Sequence, residues 1–172
     1  EKRIREIKYK FNVGFNNSKY TQEINNNIQI NKNNNYNYEI GLETLFDDFP
    51  TLEIGLKREI GKFISNSNNS EFITTEPFVN IDYTFLKGFI FNFNYQQSNY
   101  QNKTLKQKNV YEIANATLSY NKEGNAWSYK IIAQNIFNAE FKQSNRFSDY
   151  LISDTKTYIL PRIFMFSIGY NL

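Results

Sequence analysis

Hydrophobic and polar residues alternate with period two along nearly the whole chain, the spacing that sorts side chains onto the two faces of a β-strand. In the first segment Ile7, Tyr9, Phe11, Val13 and Phe15 alternate with Lys8, Lys10, Asn12, Gly14 and Asn16. In the second, Tyr36, Tyr38, Ile40 and Leu42 stand opposite Asn37, Glu39, Gly41 and Glu43. The third sets Leu52, Ile54, Leu56 and Ile60 against Glu53, Gly55, Lys57 and Glu59, with Arg58 interrupting the apolar row. The fourth carries Val79, Ile81, Tyr83 and Phe85, and the fifth Phe89, Phe91, Phe93 and Tyr95. Ala114, Ala116, Leu118 and Tyr120 mark the sixth, and Trp127, Tyr129, Ile131 and Ala133 the seventh. The last alternates Phe164, Phe166, Ile168, Tyr170 and Leu172 with Ile163, Met165, Ser167, Gly169 and Asn171. The pattern predicts about eight antiparallel strands.

The connections alternate in kind. Asn-rich polar stretches at residues 20–35, 66–70, 99–109 and 138–157 read as long loops, the last with room for some strand extension. Asp47-Asp48-Phe49-Pro50, Lys87-Gly88 and Lys122-Glu123-Gly124-Asn125 read as tight turns. Short turns at one end and long loops at the other are the asymmetry of outer-membrane barrels. The expected fold is therefore all-β: an antiparallel up-and-down transmembrane β-barrel with periplasmic tight turns and extracellular Asn-rich loops. Both ends of the sequence fall on the periplasmic side.

Composition agrees with that reading. Mean hydropathy is −0.63, and no run approaches the roughly 18 apolar residues of a membrane-spanning helix. Alternating barrel strands average out as hydrophilic, so a barrel survives where a helical span does not. The 16 Phe and 13 Tyr favour strands. Alternation alone also fits a soluble sandwich or lipocalin-like barrel, but eight apolar, aromatic-rich faces turned inward would overfill a small barrel. Tyr36, Phe46, Phe85, Tyr120, Trp127 and Tyr170 fall near expected strand ends, as an aromatic girdle requires. A charge at the lipid midplane costs about 2–4 kcal/mol, so Arg58 is expected near an interface.

The chain has no Cys and no His, which removes disulfides, thiolate metal sites, Cys nucleophiles and Ser-His catalysis. The expectation is a non-enzyme without catalytic residues, metal or cofactor. Glu39, Glu43, Glu53, Glu59, Asp82 and Glu112 share polar faces with Lys8, Lys10, Lys57 and Lys130, where cross-strand charge pairing outweighs carboxylate catalysis. A Pro-containing turn accounts for Asp47 and Asp48 without Ca²⁺, and a solvated loop accounts for Asp149 and Asp154. The net charge of +3 is interspersed rather than striped, so Phe89, Phe91 and Phe93 lack the basic patch of a nucleic-acid platform, and no nucleic-acid partner is expected. Glu1-Lys2-Arg3-Ile4-Arg5-Glu6 is charged and leads straight into a strand, which reads as an internal cut of a longer chain rather than a signal peptide.

The last third carries a resemblance. Ala133-Gln134-Asn135-Ile136-Phe137-Asn138 resembles the Asn-Leu-Phe-Asn motif that ends the penultimate strand of TonB-dependent receptor barrels. Leu160-Pro161-Arg162-Ile163-Phe164-Met165-Phe166-Ser167-Ile168-Gly169-Tyr170-Asn171-Leu172 is similar to their terminal strand, with Leu172 where the family usually has Phe. The resemblance is specific over residues 110–172 and rests on strand rhythm upstream.

It implies a single domain, the C-terminal arc of a larger barrel of about 22 strands, located in the cell outer membrane and serving uptake of a scarce nutrient. It further implies Asn135, Phe137, Asn138, Pro161, Arg162, Phe164, Phe166, Ile168, Tyr170 and Leu172 as family motif and assembly signal. The implied partners are outer-membrane lipid, the barrel-assembly machinery through the last strand, and TonB only through an N-terminal plug that these residues do not include. A surface lipoprotein is a candidate partner of the loops. The alternative is a complete eight-stranded barrel with a structural or adhesion role, in which the first strand would pair with the last.

Overall fold

The computed structural model describes all residues except 1–4, 25, 47, 66–68, 148–151 and 172. Every regular element among them is a strand: β1 (Arg5–Ile24), β2 (Asn27–Phe46), β3 (Thr51–Ile64), β4 (Asn69–Phe85), β5 (Phe89–Asn102), β6 (Gln107–Asn121), β7 (Trp127–Gln134), β8 (Phe141–Phe147), β9 (Ile152–Tyr158) and β10 (Ile163–Tyr170). Eight form one antiparallel sheet in the order β1-β2-β3-β4-β5-β6-β7-β10, while β8 and β9 pair as a separate hairpin. The eight expected strands are all present. Among the described residues β1 and β10 are the outer edges of the sheet and do not pair with each other.

Loop lengths depart from the expectation. Residues 20–24 and 27–35 are strand rather than loop: β1 and β2 stay paired from Arg5↔Phe46 to Ile24↔Asn27, and Asn26 beyond the last rung has φ 60°. Residues 99–109 shrink to a turn between β5 and β6, and β4 starts at Asn69. The ladder overrides the turn preference of Asn, because paired Asn side chains bond across it, as Asn17 Nδ2 does to Asn34 Oδ1 at 2.7 Å. The two ends of the sheet therefore differ in how far strands overrun the apolar segments, not in loop length. Only the β7–β10 connection is long, and it contains the β8–β9 hairpin.

Registers join the apolar rows into one band. Along one line stand Tyr9, Leu42, Ile54, Val79, Tyr95 and Ala114. Along the next stand Leu52, Ile81, Phe93, Ala116, Ala133 and Phe164. The band drifts relative to these lines. Phe164, its upper edge on β10, is level through Leu52 and Thr44 with Ile7, the lower edge of the band on β1. Its upper edge on β1 is Phe15, so the band descends about eight residues over seven strand-to-strand steps. Among the described residues no strand covers it: Tyr9 is 77% exposed, Phe11 70% and Phe164 69%, while Ala114 at its upper edge on β6 is buried.

The polar face is the sheltered one at the overrun end, where Asn31, Ser70, Phe72, Ser98, Tyr100 and Asn102 are buried. A cavity of about 570 Å³ on this face is lined by Asn12 of β1 and Tyr111 of β6 together. In a flat sheet those strands would stand about 24 Å apart, five spacings of about 4.8 Å, so the sheet curls around its polar face. Pro77 sits inside β4, where the β5 ladder omits Glu76 and Pro77 while the β3 ladder runs through Leu56↔Pro77. The missing proline N–H thus falls on the β5 side, and Ser98 Oγ bridges the gap to Glu76 at 3.0 Å.

Candidate functional site

The polar face holds a cross-strand charge lattice. Lys8 pairs with Glu43 at 3.2 Å, and Lys10 reaches Glu39 at 2.9 Å and Glu53 at 3.8 Å. Amides complete it: Asn12 donates to Glu39, Asn35 to Glu59, Asn80 to Glu53 and Asn92 to Asp82. These residues alternate on antiparallel neighbours, so each carboxylate meets a donor on the next strand. The pairing expected for Lys8, Lys10, Glu39, Glu43 and Glu53 is what the geometry contains. Lys57 lies 5.0 Å over the ring of Phe78, which also closes over Gly55, where a Cβ would collide with the ring.

Glu112 does not lie on the polar face. It stands in register with Gln97 on the apolar face, beyond the band, and accepts from Gln97 Nε2 at 3.1 Å and Tyr95 Oη at 3.2 Å. Glu112 has the parity of Ala114, Ala116 and Leu118, and because β6 already runs from Gln107 it continues their row. Arg58 lies on the apolar face between Tyr38 and Thr75, one position inside Ile60 and close to the band edge on β4. Tyr36 is mid-strand in β2 rather than at an end, and its ring meets Phe15 at 4.9 Å. At the turn end the aromatic row is continuous: Tyr83, Phe85, Phe89, Tyr120 and Tyr129 follow one another, and Trp127 meets Tyr170 at 4.8 Å.

Besides Asn12, Asn37, Glu39, Lys57 and Glu59, the cavity is lined by Phe72, Thr74, Glu76, Gln96 and Tyr111, and β8 brings Lys142 and Gln143 to it. Phe72, Thr74 and Tyr111 escaped the sequence reading because they lie in the overruns, where only a faint alternation of Phe72, Thr74 and Glu76 with Ile73, Thr75 and Pro77 marks a strand. Burial pushes the Tyr111 phenol up, a Ser98 hydrogen bond opposes this, and Glu76 adds to it.

The motif residues of the last third converge on one corner. Asn135, 3% exposed with φ 47°, donates from Nδ2 to Ala139 O at 2.9 Å and Leu160 O at 2.8 Å, and accepts from Ala139 N at 2.8 Å. Its own N–H donates to Asn115 Oδ1 at 2.9 Å. Asn138, φ 55°, accepts from Arg162 N at 3.0 Å. Both positive φ values suit Asn, which tolerates the left-handed region better than other non-glycine residues. Phe137 is 52% exposed and edge-on to Tyr95 at 5.9 Å. Pro161 is exposed beside this corner. Phe164, Phe166, Ile168 and Tyr170 lie on the bare apolar face of β10, and Leu172 lies outside the described residues. Asp47 and Asp149 also lie outside them, and Asp48 sits in a turn at φ 63°.

At the overrun end the β5–β6 turn is clasped onto β4. Lys103 N donates to Glu71 O at 2.8 Å, Lys103 Nζ meets Glu71 at 2.7 Å, and Thr104 Oγ1 donates to Asn69 O at 3.0 Å. The hydrogen bond from Lys103 holds the Glu71 carboxyl below its ordinary range, with the charges of Lys103 and Lys62 acting in the same direction and desolvation opposing. A depressed carboxyl stabilises the clasp above its ordinary titration range and loses that contribution as pH falls through the lowered value. A ¹³C titration of Glu71 is expected to show a midpoint below that of an ordinary glutamate, and Lys103→Gln to raise it towards the ordinary value.

No family model, curated protein or solved structure matches the chain.

Proposed function

We propose that this sheet is a stretch of the wall of an outer-membrane β-barrel of the TonB-dependent receptor type, serving uptake of a scarce nutrient. Its apolar band faces lipid and its polar, charge-paired face lines the interior.

The observation that carries this reading is the drift of the band. A lipid slab is level, so a band that slides along the registers implies tilted strands. A drift of about one residue, roughly 3.3 Å, per strand step of roughly 4.8 Å corresponds to a tilt of about 35°, at the edge of the 35–45° range of membrane barrels. The band covers seven to nine residues on most strands, close to the roughly 9–11 of a tilted membrane strand. A soluble sandwich would cover its apolar face with a second sheet, and the one other sheet among the described residues, β8–β9, is a short hairpin.

The unpaired outer edges of β1 and β10 favour an arc of a larger barrel over a closed eight-stranded one with a structural or adhesion role. The corner at Asn135 and Asn138 gives the resemblance a physical basis, since both motif asparagines have a structural task there. On this reading the partners are outer-membrane lipid, the assembly machinery through the last strand, and TonB only through an N-terminal plug.

Trp127, the single tryptophan, tests it. It stands at the turn end of the band, so its fluorescence in phospholipid vesicles is expected to be quenched more by lipids brominated near the headgroup than near the chain end. No quenching at either depth would contradict the reading.

A further inference from the structure

We propose that Lys19 and Lys32 form a binding site for the phosphate headgroup of an anionic lipid, on the apolar side of the sheet just beyond the band. This rests on the membrane reading above. The two lysines are direct register partners, Lys19↔Lys32, so their side chains leave the same face at adjacent points. Like charges directly opposite on one face repel, and such pairs are normally avoided or neutralised. Here no ion pair neutralises either one among the described residues, and both are exposed.

Among the described residues the surroundings supply no carboxylate. Toward the band the next rung is the Asn17–Asn34 hydrogen bond, and away from it Thr21↔Ile30. Across on β3, Lys32 faces Ile64, with Lys62 diagonal to it, so the nearest ionised neighbour is a third cation. Among the described residues the only acid paired with Lys62 is Glu71, which Lys62 shares at 3.9 Å with Lys103 at 2.7 Å. On the other side β1 is the sheet edge, and Glu23 lies a further four residues along β1.

Position selects the anion. The pair stands four residues past Phe15 and Tyr36, the aromatic rung that ends the band, about 13 Å along the strand. Long flexible lysine stems place their ammonium groups at headgroup level from such a site. A phosphate there would relieve the repulsion, offering negative charge and several acceptor oxygens to two sets of N–H donors.

The test is lipid selectivity measured with spin-labelled lipids on the chain reconstituted in phosphatidylcholine vesicles. Phosphatidic acid is expected to be enriched in the motionally restricted shell over phosphatidylcholine, by about fivefold per lysine at the site. K19Q/K32Q should bring the ratio towards unity, and K122Q, in a turn at the opposite end, should leave it unchanged. Equal association of the two lipids with the unaltered chain, or unchanged selectivity in K19Q/K32Q, would overturn the proposal. Loss of selectivity in millimolar inorganic phosphate at constant ionic strength would also overturn it, by assigning the pair to free anions. Absence of a restricted shell for either lipid would instead remove the membrane reading itself, and the proposal with it.

Discussion

Phe91→Arg is expected to destabilise the folded chain in a phospholipid bilayer by about 2–4 kcal/mol, the cost of a lipid-facing arginine at the midplane. Phe91 is central in the band, in register with Tyr83 on one side and Leu118 on the other. Tyr95→Arg, at the upper edge on the same strand and face, should cost no more than about 1 kcal/mol, because depth governs the penalty. Asn92→Arg, one residue away on the polar face, should change stability by about 0.5 kcal/mol or less. Equilibrium denaturant unfolding in vesicles checks all three. A graded cost along one face of one strand belongs to a lipid slab. A packed protein core would penalise both aromatic positions heavily, since each would lose its packing partners as well as bury a charge.

The second large effect belongs to Asn135. Removing its carboxamide in Asn135→Ala forfeits three hydrogen bonds at a site only 3% exposed and leaves two carbonyls and an N–H without their partner. At about 0.5–1.5 kcal/mol per bond the loss is about 2–4 kcal/mol. Asn135→Gly should regain part of it, since glycine accepts the left-handed backbone at φ 47° without strain but makes no side-chain bond. Asn135→Asp should be as harmful as alanine: it keeps the acceptor for Ala139 N but turns an oxygen toward Ala139 O and Leu160 O. Thermal unfolding ranks the three variants. Hydrogen exchange should locate the damage in the β7–β10 pairing, because the same carboxamide ties the end of β7 to the start of the hairpin and to the approach of β10. Unfolding of all three at the temperature of the unaltered chain would mean that the corner is held by something other than this side chain.

Strand number, order and facing were legible from alternation because each band segment is a long run of strong period-two contrast. Ile7 to Phe15 and Phe89 to Tyr95 carry it without ambiguity, and the register of hairpins such as β4–β5 follows from the turn at residues 86–88. The overruns were not legible. Between Tyr20 and Asn35 both faces are largely polar and Asn dominates, so propensity points to a loop while the pairing of β1 with β2 continues regardless. The same blindness hid the lining from Phe72 to Glu76, whereas the apolar face of Glu112 follows from its parity with Ala114 and Ala116. The motif asparagines were legible as a family feature only. That Asn135 works by bonding three backbone groups in a left-handed turn depends on Ala139 and Leu160, and the latter is 25 residues distant in sequence. Like-charge opposition of Lys19 and Lys32 appears only once the register is known.

The most direct measurement is site-directed spin labelling along β5, position by position from residue 90 to 95, in the cysteine-free chain reconstituted in lipid. Collisions with oxygen, which concentrates in lipid, should peak at residues 91, 93 and 95, and collisions with a water-soluble nickel complex should peak at 90, 92 and 94. Low accessibility to both reagents at the odd positions, as in a packed protein interior, would contradict the outward-facing band and everything built upon it.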